Sequence, residues 1–230
     1  MKQIITLLVL LPLILNARIY NFSGAEDHTI MYIASSVLQK AYTRAGIETQ
    51  FVFLPLEVSL KRSNSGEDDG EIARIKNITL LYPNLRQVPV EITAVEAVAF
   101  SKSTSLNIKN WSDLYGHKVT VIKGVKFIEQ STKNIPREFK PTFAEAFEAL
   151  ENGNTEIVIA PKLTGKSVLY KENYNQIKVV SPTLKRLPLY HFVHKKNSHL
   201  IPIIIPVLKK MKESGEIDYI HQAYLRTITH

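Results

Sequence analysis

Hydrophobic and polar positions along this chain change period several times. A mostly apolar run covers 4–15, and then "RIYNFSG" reads as a short strand ending in turn residues. Ile30, Ile33, Val37, Leu38 and Ala41 recur at helical spacing until Gly46, which predicts a helix with Asp27 as its cap. "IETQFVFLP" is a β-rich run closed by Pro55, a short helix fits Glu57 to Asn64, and "DGEIARI" is the next strand. A β-α-β-α-β order favours a mostly parallel sheet with helices on both faces.

From Val88 to Phe100, "VPVEITAVEAVAF" is rich in β-branched residues and alanine, and suits a long strand crossing between two lobes. A second alternating unit follows. "HKVTVIKG" is a strand ending at Gly124, Val125 to Thr132 form a helix, and Thr142 with Glu145 makes a capping box before the apolar face of Phe143, Ala146, Phe147 and Leu150. Gly153 closes that helix and "TEIVIAP" is another buried strand. "IKVVSPTL" and "LPLYHFVHKKN" are β-like, and "HLIPIIIPVLKKMKESG" and "EIDYIHQAYLRTI" are helical.

The first apolar run adds a compartment. Lys2 precedes it, Asn16-Ala17 closes it and Pro12 interrupts it, the order of a secretory signal peptide over 1–17 and a run short for a bilayer span. The chain has no cysteine, hence no lipid-modified cysteine and no disulfide framework, and a soluble periplasmic protein is expected. Without Lys2, 28 Lys+Arg stand against 21 Asp+Glu, a charge of +7. Residues 18–97 carry 8 basic and 10 acidic side chains, 98–187 carry 14 and 8, and 188–230 carry 6 and 3. The basic residues are scattered singly, without an arginine-rich helix or an aromatic stacking motif, so nucleic acid is not expected and an anionic small ligand or a membrane partner is.

Candidate chemistry is sparse. There is no G-x-S-x-G elbow for a nucleophilic serine. His191 and His194, three apart on a strand, point to opposite faces, and shared metal ligation is not expected. Glu67, Asp68, Asp69 and Glu71 crowd between Ser65 and Arg74; an EF-hand alignment of them leaves Lys76 at the required acidic position, so they read as residues solvating a turn. No cofactor, metal site or catalytic residue follows from these patterns.

Four stretches taken in order resemble the bacterial extracellular solute-binding proteins of family 3, the type II periplasmic binding fold of polar amino-acid ABC transporters. "SGEDDGEIARI" is similar to that family's G-x-x-D-G/A opening of a lobe-one strand, and "NWSDLYGHKVTVIKG" to the W-x-D-L-x-G-x-x-V-x-V-x-x-G opening of lobe two. "AFEALENGNTEIVIAP" matches L-x-x-G-x-x-D with Glu156 for the usual Asp, and "LYHFVHKKNSHLIPIIIPVLKKMKESGEIDYI" resembles the returning strand and C-terminal helices. The resemblance implies an α/β, two-lobed fold: lobe one from 18–97 plus 188–230, lobe two from 98–187, each a mostly parallel sheet flanked by helices. A hinge is expected near Val95–Phe100 and Pro182–Pro188.

It also implies a monomeric, non-enzymatic protein that captures a small polar, amino-acid-like or anionic solute in the interlobe cleft for a membrane transporter permease or a sensor. The family's S-x-x-x-T-x-x-R carboxylate clamp is absent from "KNITLLYPNLRQVPV", and Arg74 is the expected substitute. Gly124, Val125 and Lys126 stand where the family has a Gly-Thr pair, and Ala160-Pro161 where it holds an α-ammonium with Asp. Asn21, Ser23 and Phe53 complete the expected ligand-binding set by position, together with Pro161. The alternatives are a lyase on the same fold resembling cyclohexadienyl dehydratases, with Glu96, Glu71 or a histidine as acid or base, and a ligand-sensing partner of a membrane receptor.

Overall fold

A computed structural model describes residues 18–26 and 29–227. The expected signal peptide and the Asp27 cap lie outside the described residues. The described residues form nine strands and seven α-helices: β1 Tyr20–Ala25, α1 Thr29–Arg44, β2 Thr49–Leu54, α2 Leu56–Ser65, β3 Gly70–Arg74, β4 Leu85–Ser101, β5 Val119–Ile122, α3 Lys126–Ser131 and β6 Arg137–Lys140. Then come α4 Phe143–Glu151, β7 Ile157–Pro161, α5 Lys162–Lys171, β8 Lys178–Val179, β9 Lys185–His194, α6 Leu200–Glu213 and α7 Glu216–Thr227. Strand β6, helix α5 and the short 3-10 turn Lys76–Leu80 are not anticipated by periodicity, because each is short and mixes polar with apolar residues.

The strands form one continuous sheet in the order β2-β1-β3-β9-β4-β7-β5-β6, with β8 beside β4. β1 runs parallel to β2 and β3, and β5 runs parallel to β6 and β7. Between these parallel sets, β4 and β9 run antiparallel to each other from Leu85↔His194 to Ala97↔Lys185. β4 then continues past β9 to pair with β7 from Ala97 to Phe100. β9 borders the first set through β3 and β4 borders the second through β7, so two antiparallel strands link the sets.

The apolar residues divide accordingly. Phe22, Leu38, Tyr42, Ile72, Ile92, Val193, Ile204 and Leu208 belong to one core, built on helices α1 and α6. Ala97, Leu114, Val121 and Ile159, and on the other face Phe100, Phe147, Val158 and Ile177, build the cores around β5 and β7. Separate cores joined by two strands are the physical basis for two lobes, since each can stay packed while the connection bends.

Local devices match the sequence in part. Thr142 caps α4 by accepting the Glu145 N–H at 3.2 Å, but its hydroxyl also donates to the Glu145 carboxylate at 2.9 Å, so that carboxylate binds the threonine side chain rather than its backbone N–H. Gly70 begins β3 because a Cβ there would stand 2.1 Å from the carbonyl oxygen of Phe192.

The acidic turn needs a correction. Asp68, Asp69 and Glu71 do not solvate it; all three are buried. Asp68 makes a two-point pair with Arg62, and Asp69 accepts from the Asn21 N–H at 2.9 Å, the Asn197 amide at 2.8 Å and Arg18 at 2.7 Å. Burial raises the Asp69 carboxyl, yet these donors hold it below its ordinary value. Asp69 thus ties the start of β1 to the loop after β9.

Candidate functional site

Strand polarity locates the site. The lobe-one strands β1, β2 and β3 end at Ala25, Leu54 and Arg74, and Arg74 pairs with Tyr190, which in turn pairs with Glu91 of β4. The lobe-two strand β7 ends at Pro161, which pairs with Ala97 of the same β4. Both sets of parallel strands therefore point their C-terminal ends at the β4 segment from Glu91 to Ala97, roughly 20 Å of extended chain at most. Helices α1 and α5 approach one another across this gap. Strand C-termini facing a crevice are where open α/β sheets bind ligands.

On the lobe-one side, Arg74 lies between the first turns of α1 and α2. Its guanidinium is 2.9 Å from Glu71 Oε2, donates to Ser59 Oγ at 2.8 Å and touches the Met31 sulfur. Ser59 donates in turn to Glu71, and Ser63 bridges Glu71 to Ser23. Burial pushes the Glu71 carboxyl up, to about 7, against the pull of Arg74. Burial also lowers Arg74 while Glu71 holds it up. The charge of Arg74 is matched within its own lobe.

Phe53, near the end of β2, is partly buried and tilts against Tyr32 of α1 with ring centroids 4.4 Å apart. Ser23 is buried beneath α2, its hydroxyl 2.9 Å from that of Ser63. Asn21 is the second residue of β1, at the end away from the gap, and its N–H serves Asp69. The structure brings Phe53 and Arg74 to one rim and leaves Asn21 outside it.

On the lobe-two side, Gly124 adopts the left-handed φ of 95° that turns β5 into α3. Its N–H is not free: it donates to Glu129 Oε1 at 2.6 Å, and Lys126 Nζ meets the other oxygen at 2.8 Å. Lys126 and then the Gly124 N–H hold Glu129 below the usual carboxylate range. Val125 sits at the cap position of this six-residue helix without a side-chain cap. Pro161 ends β7 and precedes α5, again with no side-chain cap.

Sequence reasoning did not select Lys162 or Arg186. Lys162 opens α5 and lies 3.8 Å from Glu96, and Arg186 of β9 lies 3.7 Å from Glu96 and hydrogen-bonds Glu91. The available signal was Lys162's place directly after a strand end. Of the groups considered for acid-base chemistry, Glu71 is sealed in its hydroxyl cluster and Glu96 lies between two cations.

The two strand histidines separate as expected. His191 is buried, and because its Nδ1 faces the Glu71 carbonyl at 2.8 Å it carries its proton there, leaving Nε2 to accept from the Tyr42 hydroxyl at 2.8 Å. His194 instead accepts the Lys196 N–H at the end of β9. Among the described residues no group of three His, Asp or Glu side chains is placed to hold a metal, and no helix is long and apolar enough to cross a membrane.

No family model matches the chain. An uncharacterised protein of Shewanella oneidensis is 22% identical over 189 residues, covering 79% of this chain and 72% of that one. Among solved structures, the second substrate-binding domain of GlnP from Lactococcus lactis, in an open conformation, superposes with a TM-score of 0.71 at 17% identity over 90% of this chain and 95% of that one. The second substrate-binding domain of a putative amino acid ABC transporter from Streptococcus pneumoniae gives 0.71 at 16% identity, over 90% and 99%. A histidine kinase sensor domain with similarity to periplasmic binding proteins gives 0.64 at 16% identity, over 90% and 96%. The chain has the two-lobed type II periplasmic-binding-protein fold.

Proposed function

We propose that this chain is an exported, monomeric solute-binding protein that takes a small polar, amino-acid-like or anionic solute between its lobes and presents it to an ABC transporter permease. The observation that carries this reading is the convergence of strand C-termini from both lobes on Glu91–Ala97. Lobe one is 18–97 plus 188–230, lobe two is 98–187, and closure bends β4 and β9 where they pass between the cores. Phe53, Arg74, Val125, Lys126 and Pro161 line the gap, and Gly124 sets the turn that presents lobe two. Ser23 and Asn21 support the lobe-one rim from behind. The signal sequence 1–17 delivers the protein to the periplasm, and binding, not catalysis, is its activity.

Native mass spectrometry of the protein purified from its own periplasm tests this directly, with a bound small polar solute as the expected result. A thermal-shift screen in which no amino acid, small carboxylate, phosphonate or peptide raises the melting temperature sinks it. The likeness to a histidine kinase sensor domain supports a second reading, a ligand-dependent partner of a membrane sensor. Capture of a sensor kinase instead of a permease by the solute-loaded protein decides for that reading.

A further inference from the structure

Five charged side chains run along the junction between the lobes in the order Lys162, Glu96, Arg186, Glu91, Lys212. The chain begins and ends with cations, so it carries an unmatched positive charge. Its inner half is tight, because Arg186 hydrogen-bonds Glu91. Its outer end is loose. Glu96 lies 3.8 Å from Lys162 and 3.7 Å from Arg186, both beyond hydrogen-bonding distance, and all three side chains are partly exposed.

Lys162 is also poorly placed for the helix it opens. It sits at the positive end of α5, whose cap Pro161 supplies no side-chain acceptor and whose first turn contains no acid. A cation there is repelled by the helix dipole. On the lobe-one side of the same junction, Arg74 is 7% exposed and its Nε has no hydrogen-bond partner among the described residues. The Glu71 carboxylate beside it also has an oxygen without a hydrogen-bond partner among the described residues, so the excess of donors over acceptors lies on the lobe-two side, at Lys162 and the first turn of α5.

We propose that Lys162, backed by Arg186, receives the anionic group of the solute, and that the solute class is an oxyanion: a carboxylate, phosphate or phosphonate. This rests on the reading of the gap as a solute site. A bound oxyanion supplies the acceptor that Lys162 and the first N–H groups of α5 lack, and Glu96 gives way because no hydrogen bond from the described residues holds its carboxylate.

The test is calorimetric and thermal-shift titration of the mature chain with succinate, glutarate, inorganic phosphate and methylphosphonate, against putrescine and glucose. Wild type, Lys162→Gln, Lys162→Arg and Lys212→Gln are compared, each first checked for an unchanged melting temperature without probe. The expected result is binding of at least one oxyanion, weakened about tenfold to a hundredfold in Lys162→Gln. Lys162→Arg retains most of the affinity, and Lys212→Gln, at the far end of the chain, is unaffected. Oxyanion binding that is unchanged in Lys162→Gln overturns the proposal. So does binding of putrescine or glucose with the oxyanions silent, which leaves the solute-binding reading intact. Silence of every probe overturns the oxyanion proposal and leaves the solute-binding reading to its own wider screen.

Discussion

The Arg74 guanidinium lies 2.9 Å from the Glu71 carboxylate, and both groups are buried at the lobe-one side of the gap. This pair turns the arginine singled out by the sequence into a structural element as well as a candidate ligand contact. Removing one member strands the other charge in a poorly solvated place, which costs about 3–5 kcal/mol. Arg74→Ala and Glu71→Ala should each lower stability by that order in urea unfolding, and the Arg74→Met, Glu71→Leu double variant by clearly less than the sum. Additive losses would show that the two do not act as a pair.

Asp69 joins three segments far apart in sequence: Arg18 and Asn21, its own turn, and Asn197. Asp69→Ala leaves the half-buried Asn21 N–H without its acceptor and the Asn197 amide with only the backbone carbonyl of residue 69, a loss of about 1–3 kcal/mol. Hydrogen exchange should accelerate at Asn21 and Asn197 before the lobe-two strands. Uniform acceleration through both lobes would contradict this placement.

His191 makes stability depend on pH. Unfolded, its imidazole takes a proton near 6.5; burial lowers this to about 4 in the fold. The unfolded chain therefore binds the proton first, and the contribution of this group is complete above 6.5 and lost as pH falls towards 4, by up to about 3 kcal/mol. Glu71 works in the opposite sense: its raised carboxyl favours the fold below about 4.5, and that contribution is lost as pH rises through about 7. The quantity to follow is thus the stability difference between wild type and His191→Gln, which should shrink from pH 6.5 to 4. A constant difference would refute a neutral buried imidazole.

Gly70 admits no side chain, since a Cβ would sit 2.1 Å from the Phe192 carbonyl oxygen. Gly70→Ala forces β3 away from β9, at a cost of about 1–3 kcal/mol or more. Gly153→Ala, whose Cβ meets nothing within 4 Å, is the control, carrying only the strain of its φ of 74°. Equal melting temperatures for the two variants would rule out the close approach as the reason for glycine at 70.

Most of the elements and their alternation were legible in the chain, and the long crossing strand could be read from Val88–Phe100. Periodicity, helix caps and turn residues act over a few positions, so short windows of sequence carry them. Of the candidate site, the strand-end positions of Gly124 and Pro161 were legible, because they follow from where β5 and β7 stop. Whether Arg74 has a free charge was not, because the answer depends on Ser59 and Glu71 meeting it across α2 and β3. Asn21 was misplaced along β1 because Ser23 and Gly24, which read as turn residues, are held in the strand by pairing with Val52 and Phe53, so its C-terminal end lies at Ala25. Lys162 gains its meaning from Glu96 and Arg186, distant in sequence and brought close by the antiparallel register of β4 with β7 and β9. Short-range patterns in the sequence settled which segments became strands and helices. The pairing of charges, the burial of the acidic turn and the surplus of cations at the junction came from long-range register and desolvation, which exist only once the sheet has formed.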